Sequence, residues 1–421
     1  MSARFACRSS GETEVVPILD LGRTPLANAL LTEADLATPE PTWPLELVLA
    51  PGSALVQITE TVPPEILFRD YRYFSSFSDT MLAHARGLAE RLRVARRLDG
   101  RSLVVEVASN DGYLLRNYLD AGVPVLGIEP ATNIARVAAL RGIPTRNDFF
   151  GASLAEDLRR SCAADVIHAH NVLAHVADLN GVVRGFRTLV KDEGLVVIEA
   201  PYVKDMIDRC EFDTIYHEHL CYFSLTALDR LLRRHDLIIE EVARVPIHGG
   251  SLQVHAAPAV RGRTPSEAVR ALLDEEARWG VDRPEFYADF ARRVEALRSS
   301  LRALVGELKA AGRRIAAYGA AAKGATLLNT CGLGAESIDF VVDRSPHKQG
   351  RYMPGARVPI VVPERLVEAM PDVALLLSWN FADEILAQQA EYRRRGGRFI
   401  IPVPEPRLTG APPQDGGAEG P

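Results

Sequence analysis

Residues 214–224 read "TIYHEHLCYFS". His217 and His219 bracket Glu218, and Tyr216 and Tyr222 stand on either side. On an extended strand, residues two apart share a face, so both imidazoles could meet one metal ion. The helical zinc pattern HExxH is absent, because the spacing here is HExH. Buried structural hydrogen bonding is a second reading. Acid–base chemistry is the reading that uses every group. An imidazole takes up a proton near neutral pH. Glu218 could orient an imidazole or share the proton. Tyr216 and Tyr222 could donate to an oxygen that becomes negative during reaction.

Further titratable groups recur along the chain. "HAHNVLAHV" supplies His168, His170 and His175. This segment closes a strand and enters a loop, which makes His175 a partner for the 216–219 cluster and leaves His168 as packing. "VPIHGGSLQVH" sets His248 before a Gly249–Gly250 turn, which either admits a ligand or joins two strands. "FRDYRYFSSFS" puts Tyr71 and Tyr73 on one face of an extended segment, followed by Ser75. Those tyrosines are either aromatic packing or part of a substrate site.

A second kind of chemistry is written in "SLVVEVASNDGYLL". A strand ends at Glu106, and Ala108, Asn110, Asp111 and Gly112 form a turn. Tyr113 and Leu114 open a helix. The dinucleotide fingerprint GxGxxG is missing, and an acid-lined turn disfavours phosphate. It suits a cationic or zwitterionic ligand. Glu129, before Pro130, closes the next strand, where a carboxylate can accept both ribose hydroxyls. Asp148 and Phe149 are candidates for an adenine amine and ring face, and Asn171 follows the "DVIHAH" strand at the same edge. S-adenosylmethionine, with its sulfonium, amino-acid end and no phosphate, fits this set.

A third site falls in "AAYGAAAKGATLLN". Tyr318, Gly319, Ala320 and Ala321 make a compact turn before a helix, with Lys323 and Gly324 near its start. A diphosphate could sit on such a helix terminus. "VVDRSPHKQGRYMPG" adds Asp343 for ribose hydroxyls and Arg344, His347 and Lys348 for phosphate.

These groups must be positioned by a large chain. At 421 residues there is room for two or three domains. A net charge of −6 gives no general attraction for nucleic acid or anionic membrane. No apolar run is long enough to span a bilayer, and the first residues lack a hydrophobic signal core. The expectation is a cytoplasmic protein with reduced thiols. The pattern predicts an α/β fold. Residues 1–75 form a small β-rich module, in which "WPLELVLAPGSALVQI" reads as two strands around a Pro-Gly turn. Alternating strands and helices over 76–260 predict a parallel Rossmann-like sheet. Residues 261–310 read as a helical connector, opened by a capping box from Thr264 to Glu267. Residues 311–408 read as a second Rossmann-like lobe, and 409–421 as a disordered tail.

The motifs "LGRTPLAN", "YRYFSS", "EVASNDGYLL", "NVLAHVADLN", "YHEHLCYFS", "HGGSLQVH", "YGAAAKGATLLN" and "DRSPHKQGRYMPG", in that order, resemble the sugar C-methyltransferases of antibiotic deoxysugar biosynthesis. The resemblance covers nearly the whole chain. It implies a zinc module, a central S-adenosylmethionine domain and a C-terminal domain that helps to bind a dTDP-sugar. It implies methylation of a carbon beside the ketone of a 4-keto sugar, C3 first and C5 second. By resemblance His219 removes the proton with help from Glu218, while Tyr216, Tyr71 and His175 surround the sugar. Tyr73, Ser75, Tyr222, His248 and Gly249 fall to the substrate.

Zinc is where the chain departs from the family. Four thiolates are expected at positions 7, 10, 50 and 53, and the residues are Cys7, Ser10, Ala50 and Ser53. The expectation is therefore no metal. An N- or O-methyltransferase, an oxidoreductase or epimerase, and a non-catalytic nucleotide-sugar-binding homologue are the alternatives. Oligomeric state is left open, with a monomer allowed.

Overall fold

A computed structural model describes residues 5–68, 75–247, 249–260 and 262–409. Tyr71, Tyr73, His248 and the tail from residue 410 lie outside the described residues. In chain order the strands are β1 (Val16–Thr24), β2 (Trp43–Ala50), β3 (Leu55–Ile58), β4 (Val104–Val107), β5 (Val125–Ile128), β6 (Thr145–Arg146), β7 (Ala164–His170), β8 (Val190–Pro201), β9 (Cys221–Tyr222), β10 (Leu237–Val245), β11 (Ser251–Pro258), β12 (Ile315–Tyr318), β13 (Val341–Val342), β14 (Ile360–Val361), β15 (Val373–Leu376), β16 (Arg398–Ile401) and β17 (Arg407–Leu408).

Two compact units form. The first takes the described residues of Met1–Ile18, Leu47–Asp205 and Glu218–Ala288, and the second those of Leu19–Glu46, Met206–His217 and Asp289–Pro421. The stretch expected as a connector divides between them. Its first helix, Glu267–Trp279, belongs to the first unit and its second, Phe290–Ala310, to the second. The reason is visible in the first helix. Glu276 is buried and accepts from Tyr202 Oη, Leu225 N and Thr226 N, at 2.7–2.8 Å. The cap of that helix is also not the one expected. Ser266, not Thr264, accepts from Val269 N.

In the first unit the large sheet runs β10-β11-β8-β7-β4-β5-β6. β4 pairs in parallel with β5 and β7, and β8 with β7, while β11 is antiparallel to β8 and β10. Strand order reverses at β4, which opens a crevice beyond its carboxyl end. The sheet face under helix Asp79–Ala95 changes character along the strands. Val104, Val166 and Leu195 join Ala85, Leu88 and Leu92 of the helix in an apolar core. One step towards the carboxyl ends, Glu106 lies beside His168 and then His170 beside Glu199. The sheet is therefore held by hydrocarbon at one end and by titratable groups at the other.

A smaller sheet runs β1-β2-β3-β9. β2 and β3 form the hairpin expected around Pro51–Gly52. β9 pairs with β3 through Val56–Tyr222 and Gln57–Cys221. The "TIYHEHLCYFS" segment is thus a strand only at Cys221–Tyr222, with a bend at Tyr216 and a turn at His217–Glu218.

The second unit carries a sheet of order β14-β13-β12-β15-β16-β17, parallel except for β17. Its core includes Tyr318, Phe340, Leu376, Tyr392 and Phe399. Strand order reverses at β12, which gives this unit a crevice of its own.

Candidate active site

The turn after β4 has left-handed backbone at Ala108, Asn110 and Gly112, with φ of 52°, 49° and 81°. Gly112 is required twice over: a Cβ there would lie 2.6 Å from Ile143 Cγ1. Asn110 N donates to Glu129 Oε2 at 2.9 Å and Ala131 N to Glu129 Oε1 at 2.8 Å. Burial pushes the Glu129 carboxyl up to about 7, against the pull of those two N–H groups. Glu106 is raised well above the ordinary carboxylate range, first by burial and then by the charges of Glu129, Asp111 and Glu199. Asp111 Oδ2 accepts from Arg141 Nη1 at 2.7 Å and from the Ser76 hydroxyl.

Four buried oxygens along this edge have no protein partner: Glu106 Oε2, Ser109 Oγ, Asp111 Oδ1 and Asn171 Oδ1. Asn171 has left-handed backbone at φ 55° and donates its N–H to Glu199 O at 2.8 Å. Buried polar atoms are normally satisfied. Three carboxylate or amide acceptors without donors suit an ammonium group, so these residues fit the amino-acid end of S-adenosylmethionine. Asp148 and Phe149 lie exposed after β6, with Asp148 Oδ1 accepting from Phe149 N. Tyr113 and Leu114 come before helix Leu115–Asp120 rather than inside it. Pro130 is half-buried beside Glu129. Ser75, assigned to substrate from the sequence, donates its backbone N–H to Asn110 Oδ1 at 3.0 Å. It thus ties the segment before helix Asp79–Ala95 to the turn after β4.

The histidine cluster is divided by the fold. His175 ends a short 3-10 turn, Leu173–His175, just beyond β7. Its ring meets that of His219 edge-on, with centroids 4.8 Å apart. Leu220 N donates to Ala174 O at 2.6 Å, which fixes this juxtaposition through the backbone. The His219 and Tyr222 rings are 6.3 Å apart. Glu218 and Tyr222 are buried, and His219 is half-buried. Burial lowers His175 to about 4, opposed by a backbone hydrogen bond at Glu218, so this ring is neutral at working pH.

His217 goes elsewhere. Its Nε2 lies 3.0 Å from Pro44 O and its ring packs on Trp43 at 6.2 Å. The two imidazoles of HExH do not converge on one point, because the backbone turns between them instead of extending. Tyr216 is half-buried in the second unit, and the division between units falls after His217.

One constellation escaped the sequence reading. Tyr118 Oη meets His168 Nε2 at 3.0 Å, His168 Nδ1 meets His170 Nε2 at 2.9 Å, and His170 Nδ1 lies 3.0 Å from Glu199 Oε2. His84 Nε2 and Gln253 Nε2 both reach Glu199 Oε1 at 2.6 Å. The neighbouring imidazoles of His170 and His84 outweigh burial and hold Glu199 well below the ordinary carboxylate range. The alternation in "HAH" was the available signal, since residues two apart share a strand face. Nothing local identifies Glu199, His84 or Gln253 as their partners.

In the second unit Gly319 has φ 92°, and a Cβ there would sit 2.2 Å from Ser378 Oγ. Ala320 N donates to Asp343 Oδ2 at 2.7 Å, and Lys348 Nζ donates to Ala320 O at 2.7 Å. Asp343 and Lys348 therefore close the turn. Lys323 Nζ lies 4.5 Å from the centre of the Trp379 ring. Trp379 Nε1 donates to buried Asp213 at 2.6 Å. Lys323 thus faces an aromatic ring and a buried carboxylate instead of an open phosphate site. Gly324 is buried against Leu377, and Tyr318 Oη accepts from Gln389. Arg344 and His347 are exposed. Gly249 has φ 93° in the turn before β11.

Among the described residues, no helix is long and apolar enough to cross a membrane. Three family descriptions match the chain: a putative zinc binding domain over 7–68, a methyltransferase domain over 81–242 and a C-methyltransferase C-terminal domain over 246–404. C-methyltransferase NovU of Streptomyces niveus is 38% identical over 406 residues, covering 96% of this chain and 97% of its own. Among solved structures, magnesium protoporphyrin IX methyltransferase from Synechocystis PCC 6803 with bound SAM is 12% identical, covering 42% of this chain and 79% of its own, at a TM-score of 0.33. An S-adenosylmethionine-dependent methyltransferase from Clostridium acetobutylicum is 11% identical, covering 42% and 91%, at 0.34.

Proposed function

The chain belongs to the C-methyltransferase family and uses S-adenosylmethionine, and on that premise we propose that it methylates a ring carbon beside the C4 ketone of a dTDP-linked deoxysugar. Two carbons flank such a ketone. The sequence reading placed C3 first. The likeness to NovU, a C-methyltransferase, over the whole chain supports transfer to carbon; we take C5, the second choice, ahead of C3, and the product test below separates them.

Glu106, Asp111 and Asn171 hold the amino-acid end of the cofactor with their unpartnered oxygens, and Glu129 takes the ribose hydroxyls. The bound cofactor supplies an electrophilic methyl group on a sulfonium. A sugar C–H is a poor acid, and a neighbouring ketone acidifies it by spreading charge onto oxygen. His219 takes that proton, with Glu218 beside it in the chain. His175 and Tyr71 donate to the oxygen as it becomes negative. A neutral imidazole at His175 suits that role, because it can donate without repelling a protonated His219. Base and methyl donor on opposite ring faces would invert the carbon. In the second unit we assign the dTDP moiety to the turn after β12 and the start of helix Ala322–Cys331. Arg344 and His347 are its exposed basic groups, while Lys348 closes the turn and Lys323 faces the Trp379 ring.

The observation that carries this reading is the half-buried His219 ring set against His175 at the carboxyl edge of the sheet. An N- or O-methyltransferase has no need of a base for carbon. The test is incubation with a dTDP-4-keto-6-deoxysugar and the cofactor, followed by NMR of the product. Methylation at C5 removes the C5 hydrogen and collapses the C6 methyl doublet to a singlet. Methylation at C3 leaves that doublet and removes a C3 hydrogen. A methyl on oxygen or nitrogen overturns the proposal.

A further inference from the structure

The family description over 7–68 is a putative zinc binding domain, and the donors here do not fit it. A structural zinc site takes four nitrogen or sulfur ligands. The four positions hold Cys7, Ser10, Ala50 and Ser53, which offer one thiolate, two weak hydroxyls and a methyl group. Among the described residues no group of three or more His, Cys, Asp or Glu could hold a metal ion. Yet two loops that a metal would join still exist. One is the turn Cys7–Glu12, closed by Cys7 N to Glu12 O and Gly11 N to Cys7 O at 2.8 Å each. The other is the Pro51–Gly52 turn of the β2–β3 hairpin.

Those loops are joined in two ways. Directly, Cys7 Sγ lies 3.2 Å from Ser53 Oγ, and Glu12 Oε1 accepts from Ser53 N at 3.3 Å. Indirectly, both loops are gripped from helix Leu225–Arg233 and its cap. Arg230 Nη1 donates to Pro51 O and Gly52 O at 3.1 and 3.3 Å. Arg234 Nη1 donates to Ser9 O and Ser9 Oγ at 2.6 and 2.8 Å. The two arginines are four residues apart and so stand one above the other on one helix face. Arg230 is itself fixed by Asp282 at 2.7 Å. Asn180 Nδ2 adds bonds to Arg8 O and Ser9 O at 3.1 Å each. Arg8 then fastens the first loop to β3 and beyond, donating to Gln57 Oε1, Ile58 O, Glu60 O and Thr61 Oγ1. Guanidinium bonds to carbonyls are charge-assisted, and each arginine spans several acceptors at once.

We propose that Arg230 and Arg234, together with the Glu12–Ser53 contact, cross-link the two loops in place of a metal, so that the N-terminal module folds metal-free on the methyltransferase domain.

The test uses the full-length protein produced in zinc-supplemented medium and dialysed. Elemental analysis should find well under one zinc per chain, and 1,10-phenanthroline should leave the melting temperature unmoved. The double variant Arg230→Ala/Arg234→Ala should melt roughly 4–8 °C lower, with zinc giving no rescue. The triple variant Ser10→Cys/Ala50→Cys/Ser53→Cys should gain about one zinc per chain and acquire sensitivity to the chelator. About one zinc per chain in the unmodified protein, with a chelator-induced fall in melting temperature, overturns the proposal. So does an unchanged melting temperature in the double arginine variant. The measurement on the unmodified protein stands whether or not the variants fold.

Discussion

The ring of His175 meets that of His219 edge-on, centroids 4.8 Å apart and planes inclined at 69°. Only one of the pair needs to become charged. Burial keeps His175 neutral, with its proton affinity down at about 4. We expect His219→Ala to lower kcat by about 10²–10⁴-fold, the range that a positioned acid–base group supplies. Cofactor affinity should change little, because the oxygens of the cofactor turn are on other elements. Steady-state kinetics with calorimetric titration of S-adenosylmethionine checks both. Turnover within a few-fold of the unmodified enzyme would remove His219 from the mechanism.

Cofactor binding should release protons. Glu106 is raised well above its ordinary range and Glu129 is pushed up to about 7. A bound cation favours their ionised forms, so affinity should rise with pH, by up to about tenfold per unit for one linked proton, and the part linked to Glu129 should level off above about 7. The cofactor-free protein should show the opposite slope. A raised carboxyl binds a proton in the folded state that the unfolded chain has lost, so stability falls as pH climbs from 4.5 to about 7. Titration calorimetry in buffers of different ionisation enthalpy measures the protons. Glu106→Gln should abolish part of the release.

His170→Leu should destabilise the first unit. It removes one of the two histidine partners of a buried carboxylate, Glu199, and breaking a buried pair costs about 3–5 kcal/mol. Glu199 is depressed by its histidine partners, so its contribution is present above the ordinary carboxylate value and is lost as pH falls through the lower folded value. The variant should unfold at milder acidity and at lower urea. Equal denaturation curves would show that His84 and Gln253 suffice.

Trp379→Phe probes the second unit. It deprives buried Asp213 of a 2.6 Å donor, at a cost of about 1–3 kcal/mol. Asp213 is raised by burial, with Lys323 and Trp379 pulling it back. Without Trp379 the folded value climbs further, so the loss of stability with rising pH continues to higher pH. Urea unfolding at pH 5 and pH 7.5 should show a wider gap in the variant than in the unmodified chain.

The two parallel sheets were legible because buried strands are short, apolar and separated by helices, as "SLVVEV" and "VALLLSW" show. The turn after β4 was legible as a turn because its backbone needs are local: Gly112 and Asn110 are left-handed. Caps and boundaries were less so. Thr264 had the spacing of a capping box, but Ser266 caps the helix.

The sequence by itself determined the family, the α/β lobes and which residue types crowd the carboxyl edges of the strands, because periodicity and short motifs are properties of neighbours in the chain. Tertiary structure alone decided partnerships. It sent His217 to Pro44 and His219 to His175, although one residue separates them. It joined His84, His170 and Gln253 on Glu199, and it laid Lys323 over Trp379. A side chain's charge and reach are fixed by its type, but its partner depends on segments 29 to 173 residues away that only folding brings into contact.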